Sequence, residues 1–138
     1  MTEPTLALQR AIRTRLIANS AVTDLVPADH IKDGATRPTE FPSIIIGDGQ
    51  TVLEGDQYAS WRNVSAYLNI DVWTEEAGLE SAKTIAGAIT DAIGRALDVP
   101  GFLLSDGVHV IGTRFMRDPS GRNGHAVVSL SAFMGCAQ

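Results

Sequence analysis

The three histidines are the residues with the widest chemical range in this 138-residue chain. His30, His109 and His125 lie far apart in sequence, and no two share the four-residue spacing of a helical metal motif. His109 and His125 flank the last predicted hairpin, so we expect them to be near neighbours across it. With a carboxylate such as Asp106 or Asp118 they could hold a metal, although metal-binding sequences usually show tighter spacing. We therefore interpret them as partly exposed strand residues.

The other reactive groups lack the neighbours that catalysis needs. The single cysteine, Cys136, has no predicted basic helix terminus beside it, so we interpret its thiol as unreactive. Glu75, Glu76 and Glu80 stand where a helix is predicted to begin, and the helix dipole favours negative charge there. Ser120 lies in a turn, and neither glycine-rich phosphate-binding motifs nor a GxSxG nucleophile motif occurs. We predict no catalytic residue, cofactor site or metal site, and hence no enzyme.

Composition restricts the remaining function classes. The net charge is −5, and 44% of the residues are hydrophobic against 20% charged. This balance predicts a folded chain with a sizeable core and disfavours general binding to nucleic-acid phosphates. No apolar run approaches the length of about 20 residues that crosses a bilayer, and a lone cysteine cannot form an internal disulfide. We expect a single domain over residues 1–138, soluble and inside the cell.

The clearest folding unit covers residues 64–97, where the apolar period changes from two residues to three or four. Alternate residues from Val64 to Val72 are apolar, which predicts a strand with one face on a core. Apolar residues from Ala82 to Leu97 then recur at the spacing of an amphipathic helix. A strand and a helix this close in sequence normally pack on each other. The unit is therefore a scaffold, and function is expected in what surrounds it.

The rest of the chain supplies further elements for the same core. A helix is predicted over residues 5–18 with Thr5 as its N-cap, followed by a short turn capped by Ser20. Residues 43–47 predict a buried strand with a bulge or bend at residues 47–49, and Ile31 falls in a short extended piece. Residues 108–117 and 126–134 predict a closing hairpin. This order predicts an α+β fold: a small mixed or antiparallel sheet of about four strands, with two main helices on one face.

Two features of the predicted sheet concern function. Residues 50–63 form a connection longer than an ordinary hairpin loop. This loop is either an interface or a long hairpin whose ends extend the strands, with Tyr58 and Trp61 folded back on the sheet. The strand that follows presents Tyr67, Asn69, Asp71 and Trp73 between its core positions, so a mixed polar and aromatic face is left open if helices cover only one side.

Four stretches of the chain, in this order and spacing, resemble the tail terminator (tail completion) family of tailed bacteriophages and phage-like gene transfer agents. They are LALQRAIRTRLIANSAVTDLV, IKDGA followed by FPSIIIGDG, YLNIDVWTEEAGLESAKTIAGAITDAI, and TRFMRDPSGRNGHAVVSLSAFM. The last contains an RDP-type turn and a glycine–histidine pair before the final strand. Together they span nearly the whole length, and the family has no catalytic motif to transfer.

The resemblance implies a structural virion protein of the tail or neck, assembled in the cytoplasm of a bacterial host. It implies a homo-hexameric ring that caps the head-proximal end of the tail tube and joins it to the head. Its partners would be the tube protein and the connector or stopper protein, with DNA passing through the lumen without sequence-specific binding. Candidate residues of the subunit or tube interface are Glu54, Asp56, Tyr58, Trp61, Arg62, Tyr67, Trp73, Arg117 and Arg122.

Glu54 and Asp56 would also make the lumen acidic, which disfavours adsorption of DNA. Three alternatives remain open at this point. The first is another neck component, such as a stopper or head-completion protein. The second is a small metal-dependent enzyme that uses His109, His125 and a carboxylate, and the third is a nucleic-acid-binding module, which the net charge disfavours.

Overall fold

The computed structural model describes residues 2–34, 37–54, 61–76 and 78–137. Within these residues the helices are α1 (Pro4–Ile17), α2 (Ser20–Thr23) and α3 (Glu80–Ile93), and a 3₁₀ turn covers Ala28–His30. The strands are β1 (Ile31–Asp33), β2 (Ser43–Leu53), β3 (Trp61–Thr74), β4 (Val108–Arg117) and β5 (Gly124–Ala137). The predicted α+β class is confirmed.

The strands form one five-stranded sheet in the order β1-β2-β3-β5-β4. β3 and β5 pair antiparallel along their whole length, from Trp61 opposite Ala137 to Thr74 opposite Gly124. The segment containing α3 is thus the crossover that brings strands of two different hairpins together. The sheet has one strand more than the expected number of about four. The additional strand is β1, whose three residues are too few to show an alternating pattern.

The predicted bulge in β2 is present. The register with β3 shifts between Ile46 and Gly49, so that two residues of β2 are accommodated without partners. Beyond the bulge, Gln50 pairs with Tyr67, and the strand continues to Leu53. The bulge therefore changes the face to which each later residue of β2 points, so that Thr51 pairs with the buried Ala66 and Val52 pairs with Ser65.

The ends of the predicted long loop extend the two strands on either side of it. β2 continues to Leu53 and β3 already begins at Trp61, while the Glu54 amide donates to the Asn63 carbonyl at 3.1 Å. The long-hairpin interpretation is therefore confirmed for these positions. Residues 55–60, which include two of the candidate interface residues, Asp56 and Tyr58, lie outside the described residues.

The cap of α1 differs from the predicted one. The helix begins at Pro4, a residue suited to the first helical position because it has no amide hydrogen to leave unsatisfied. Glu3 is the N-cap, and its Oε1 accepts from the Thr5 amide at 2.6 Å, so Thr5 itself lies inside the first turn. Burial raises the pKa of Glu3, but hydrogen bonds from Thr5 and Thr51 outweigh it, and the pKa ends below its ordinary value.

Side chains that precede the other two helices also accept hydrogen bonds from amides of the first turn. Asn19, not the predicted Ser20, caps α2, because its Oδ1 accepts from the Val22 amide at 3.3 Å. At the start of α3, Glu76 Oε1 accepts from the Ser81 amide at 2.8 Å, and this backbone hydrogen bond lowers the pKa of Glu76. The acidic run before α3 thus supplies an acceptor for a first-turn amide as well as charge at the positive end of the helix dipole.

The helices cover one face of the sheet and bury its apolar residues. The alternating positions predicted for β3 are all buried, none more than 1% exposed: Val64, Ala66, Leu68, Ile70 and Val72. The matching positions of β5 are also buried, none more than 2% exposed: Ala126, Val128, Leu130, Ala132 and Met134. Arg15 of α1 donates to the Ile93 carbonyl at 3.2 Å and to the Ala96 carbonyl at 2.8 Å, which ties α1 to the end of α3. Within the described ranges, no helix has the length and apolar character to cross a membrane.

Candidate assembly surface

The face of the sheet opposite α1 and α3, which we call the open face, carries the side chains that alternate with the core positions. Directly paired residues of antiparallel strands point to the same side. The middle of the open face is therefore formed by uncharged residues: Gln50, Val52, Ser65, Tyr67, Asn69, Ser129, Ser131 and Phe133. In a chain with net charge −5, this uncharged strip is suited to contact with another surface.

Two aromatic side chains of the open face remain accessible to solvent. Tyr67 is 40% exposed and Phe133 is 43% exposed. Tyr67 pairs with Ser131 and Phe133 pairs with Ser65, so the two rings are diagonal neighbours on adjacent strands. Covering apolar area contributes about 25 cal/mol per Å², and a partner that covers both rings would gain this stabilisation. We call these two residues the aromatic patch.

Phe133 is absent from the candidates predicted from sequence, although a signal for it exists. In the last strand, Ala132 and Met134 occupy core positions, so Phe133 between them must point to the opposite face. Together with Tyr67 on the adjacent strand, this outward position makes Phe133 a candidate for contact with a partner.

Trp73, at the other end of β3, already makes a ring contact within its own chain. Its ring stacks on the His125 ring, with centroids 3.9 Å apart and an interplanar angle of 10°. His125 Nε2 in turn lies 2.7 Å from Asp71 Oδ1. A carboxylate on a partly covered surface needs a hydrogen-bonding partner, and the partner of Asp71 is His125. Because Trp73 is only half-buried, part of its surface stays available beside this stack.

Arg37 joins three separate segments at this end of the sheet. Its guanidinium donates to both carboxylate oxygens of Asp118, at 3.1 and 2.7 Å, and to Asn123 Oδ1 at 2.7 Å. It also lies 5.4 Å from the centroid of the Trp73 ring, within the range of a cation–π contact. Asn123 Nδ2 donates to the Thr74 carbonyl at 3.0 Å. The segment after β1, the β4–β5 turn and the end of β3 are thereby held together.

The carboxylate at the centre of this network is kept ionised. A hydrogen bond from the Ser120 hydroxyl lowers the pKa of Asp118, and the Arg37 guanidinium lowers it further, so the pKa falls below its ordinary 3.8 despite burial. The RDP-type turn thus has a structural reason, since its aspartate accepts from both partners. Arg37 was not found from sequence, because the 81 positions that separate it from Asp118 leave no local pattern.

The hairpin end of the sheet holds three further candidate residues. Trp61, Arg62 and Glu54 are all half-buried. Trp61 Nε1 donates to Asn63 Oδ1 at 2.8 Å, and its ring lies against Gly135, where a Cβ would come within 2.6 Å of the ring. The prediction that Trp61 folds back on the sheet is confirmed, and glycine on β5 is what makes room for it.

Arg117 and Arg122 lie at the opposite end of the sheet from these residues. Both are exposed, the first at the end of β4 and the second in the turn that follows. The β3–β5 ladder runs from Trp61 at the hairpin end to Thr74 beside the turn. The candidate interface residues therefore form two groups at the two ends of the sheet, with Tyr67 between them.

The histidines do not come together as predicted. His109 pairs with Ser131, whereas His125 pairs with Met116, so the two are separated along the β4–β5 ladder. His109 lies instead 3.0 Å from Asp106. In the part of the chain that the structure describes, no group of three histidine, cysteine or acidic side chains could hold a metal ion.

Comparisons with known proteins agree with this architecture. Residues 10–135 match the family model described as tail completion protein gp17. A chain in the solved structure of the virion of a native gene transfer agent particle has the same fold, with a TM-score of 0.84 at 21% identity. The alignment covers 98% of this chain and 99% of that one. No curated protein matches.

Proposed function

The chain belongs to the tail completion protein family (gp17), whose model spans residues 10–135, and from this premise we propose that it is a tail terminator. It is a structural protein of phage-like tails. In the proposed function six copies form a ring that caps the head-proximal end of the tail tube and joins the tail to the head. The family match is the observation that carries this proposal.

The distribution of candidate residues supports a protein with two different partners. The hairpin end carries Glu54, Trp61 and Arg62, and the turn end carries Arg117 and Arg122. A terminator must contact the tube protein on one side and the connector or stopper protein on the other. Surfaces at opposite ends of one rigid sheet suit this task, because the sheet fixes the distance between them. Asp56 and Tyr58, which lie outside the described residues, stay candidate interface residues in this proposal.

The net charge supports passage of DNA through the ring without capture. A chain with charge −5 repels phosphates overall. In the proposal, DNA therefore passes through the lumen without sequence-specific binding, and the aromatic patch contacts a protein.

The proposal is tested by removing the gene from the particle-producing strain and measuring tail lengths by electron microscopy. We expect tails of irregular, increased length and heads without tails, because nothing would stop growth of the tube. Supplying the wild-type gene in trans should restore uniform, joined tails. Tails of normal uniform length in the deletion strain would contradict the terminator function.

Tails of normal uniform length in the deletion strain would point to a different component of the neck. Tails of normal length that fail to join heads identify a stopper or head-completion protein, since such a component acts after the tube has been terminated. Labelling the protein with gold in the wild-type particle adds an independent readout. The label should lie at the head-proximal tube end in isolated tails, and a label found only on isolated heads would favour the alternative.

A further inference from the structure

The two outer edges of the sheet differ in charge. β4 is the outermost strand on one side, and we call it the basic edge. Arg114 and Arg117 are exposed along it, and Arg122 follows in the adjoining turn. None of the three has an ion-pair partner among the described residues. The nearby carboxylate of Asp118 cannot serve them, because it is buried and bound by Arg37.

The opposite edge is formed by β1 and by residues 47–53 of β2, and we call it the acidic edge. β1 covers β2 only opposite residues 44–46, so beyond Ile46 the outer side of β2 has no paired strand among the described residues. Asp33 and Asp48 are exposed on this edge, and neither has an ion-pair partner in the described ranges. The one lysine there, Lys32, lies 3.9 Å from Glu40 and is thus already compensated.

We propose that the basic edge of one copy pairs with the acidic edge of the next, so that the sheet continues across the subunit boundary. This inference rests on the proposed ring and names the surfaces that form it. Unpaired strand edges present backbone N–H and C=O groups that another strand can satisfy. A cyclic ring requires two different complementary surfaces on each copy, and the two edges of this sheet are such a pair.

The strand directions are compatible with this contact. β1 runs parallel to β2, while β2, β3, β5 and β4 are successively antiparallel. β4 is therefore antiparallel to both β1 and β2. A rotation axis along the strands preserves these directions from copy to copy, so the basic edge meets the neighbour's acidic edge in an antiparallel arrangement.

Charge also selects against the competing arrangement, in which two copies pair through the same edge. Two basic edges would place Arg114 and Arg117 of both copies in one antiparallel ladder, and like charges opposite each other are unfavourable. The same repulsion applies to two acidic edges. Charge complementarity thus favours head-to-tail contact with a second copy of this chain over a symmetric dimer.

The first test reverses the charges one edge at a time. R114E with R117E, or D33K with D48K, should lower the fraction of tube ends that carry a ring at least about tenfold, counted by negative-stain microscopy with purified tails. The four substitutions in one chain restore opposite charges at every boundary and should restore the ring. Arg10→Glu on α1 and Asp91→Lys on α3 are matched exposed controls. Circular dichroism verifies folding.

Two results of this test would overturn the assignment. Wild-type occupancy in either single-edge variant means that the edges do not form the boundary, and so does failure of the folded four-substitution chain to recover. In both cases the terminator function is still supported if the wild-type protein caps tube ends. A wild-type protein that never binds tube ends would instead contradict the terminator function.

A second test needs no charge change and identifies the neighbours directly. Gly112→Cys lies on the basic edge, where a Cβ meets open space, and Gln50→Cys lies on the exposed part of the acidic edge. Treated with a flexible bis-maleimide on the tube, the chain with both cysteines should give a ladder of covalent multimers. Each single variant should stay monomeric on a denaturing gel. A dimer from Gly112→Cys alone, or no ladder from the double variant, would overturn the head-to-tail edge contact.

Discussion

The two faces of β3 are built from one strand but interact in opposite ways. On the helix side, Val64 to Val72 are buried at every second position. On the open face, Asp71 and Trp73 find partners inside the chain, whereas Tyr67 stays 40% exposed. The first face is completed by folding alone. The second is completed by folding only at its two ends, near Trp73 and near Trp61, and its middle is left for a partner.

This contrast separates residues that hold the fold from residues available for assembly. A core residue contributes to stability through area that folding removes from water. An exposed aromatic contributes little to folding, and its contribution appears only when a partner covers it. Substitutions on the two faces should therefore affect different measurements, and the effect on the free energy of unfolding should fall from the core face to the aromatic patch.

The largest effect on stability is expected in the core. Ile70→Ala removes a fully buried side chain from the centre of β3. It should lower the free energy of unfolding by about 2–5 kcal/mol, since the cavity adds to the lost burial. Urea denaturation followed by circular dichroism measures this. A loss no greater than that of an open-face substitution would remove the distinction between the two faces.

A smaller effect is expected where the open face is closed by Arg37. Arg37→Ala leaves the buried Asp118 carboxylate without its cation and frees the segment after β1. We expect a fall in Tm of about 5 °C. Arg122→Ala, an exposed arginine in the turn next to the same carboxylate, is the control and should leave Tm unchanged. Equal Tm values for the two variants would show that the Arg37 network is not stabilising.

The same network predicts a dependence on pH. Because the folded pKa of Asp118 is lowered, its carboxylate stabilises the fold above the ordinary value of 3.8, and this stabilisation is lost as the pH falls through the folded pKa. The Tm difference between the wild type and Asp118→Asn should therefore shrink as the pH is lowered below the ordinary pKa of 3.8. Glu3 and Glu76 titrate in both proteins, so their contributions cancel in the Tm difference. A pH-independent difference would contradict the lowered pKa.

The smallest effect on stability is expected at the aromatic patch, together with a large effect on assembly. Tyr67→Ser combined with Phe133→Ser should change the free energy of unfolding by no more than about 0.5 kcal/mol per site. Joining of heads to tails, counted by electron microscopy, should fall about tenfold. Leu6→Ser is the matched control, because Leu6 is 37% exposed on the helix side. Normal joining by the double variant would remove the patch from the assembly surface.

Periodic patterns predicted most of the fold, and non-local contacts account for what was missed. The strand and helix of residues 64–97 follow from alternation and from three- and four-residue spacing, which each segment shows by itself. The caps at Glu3 and Asn19 were placed one or two residues away, since several polar residues near a helix start can accept the same amides. β1 was not predicted as a strand because three residues carry no period.

The candidate surface was predictable to the extent that alternation reports a side chain's face. Alternation places Tyr67 outward, and the same rule applied to the last strand would have placed Phe133 there too. It could not show that Trp73 stacks on His125, because that contact depends on pairing residues 73 and 125 across two hairpins. For the same reason His109 was expected beside His125 although the β4–β5 register separates them.

The sequence by itself determined the class of fold, the apolar face of each element and the family, since these depend on local spacing and on order along the chain. Only the tertiary structure decided that Arg37 closes one end of the open face and that Tyr67 and Phe133 remain accessible to solvent. The tertiary structure alone placed Arg114 and Arg117 along one outer edge of the sheet and Asp33 and Asp48 along the other outer edge. The physical reason is that strand order and register are set by packing the whole sheet on its helices, and no single segment carries that information.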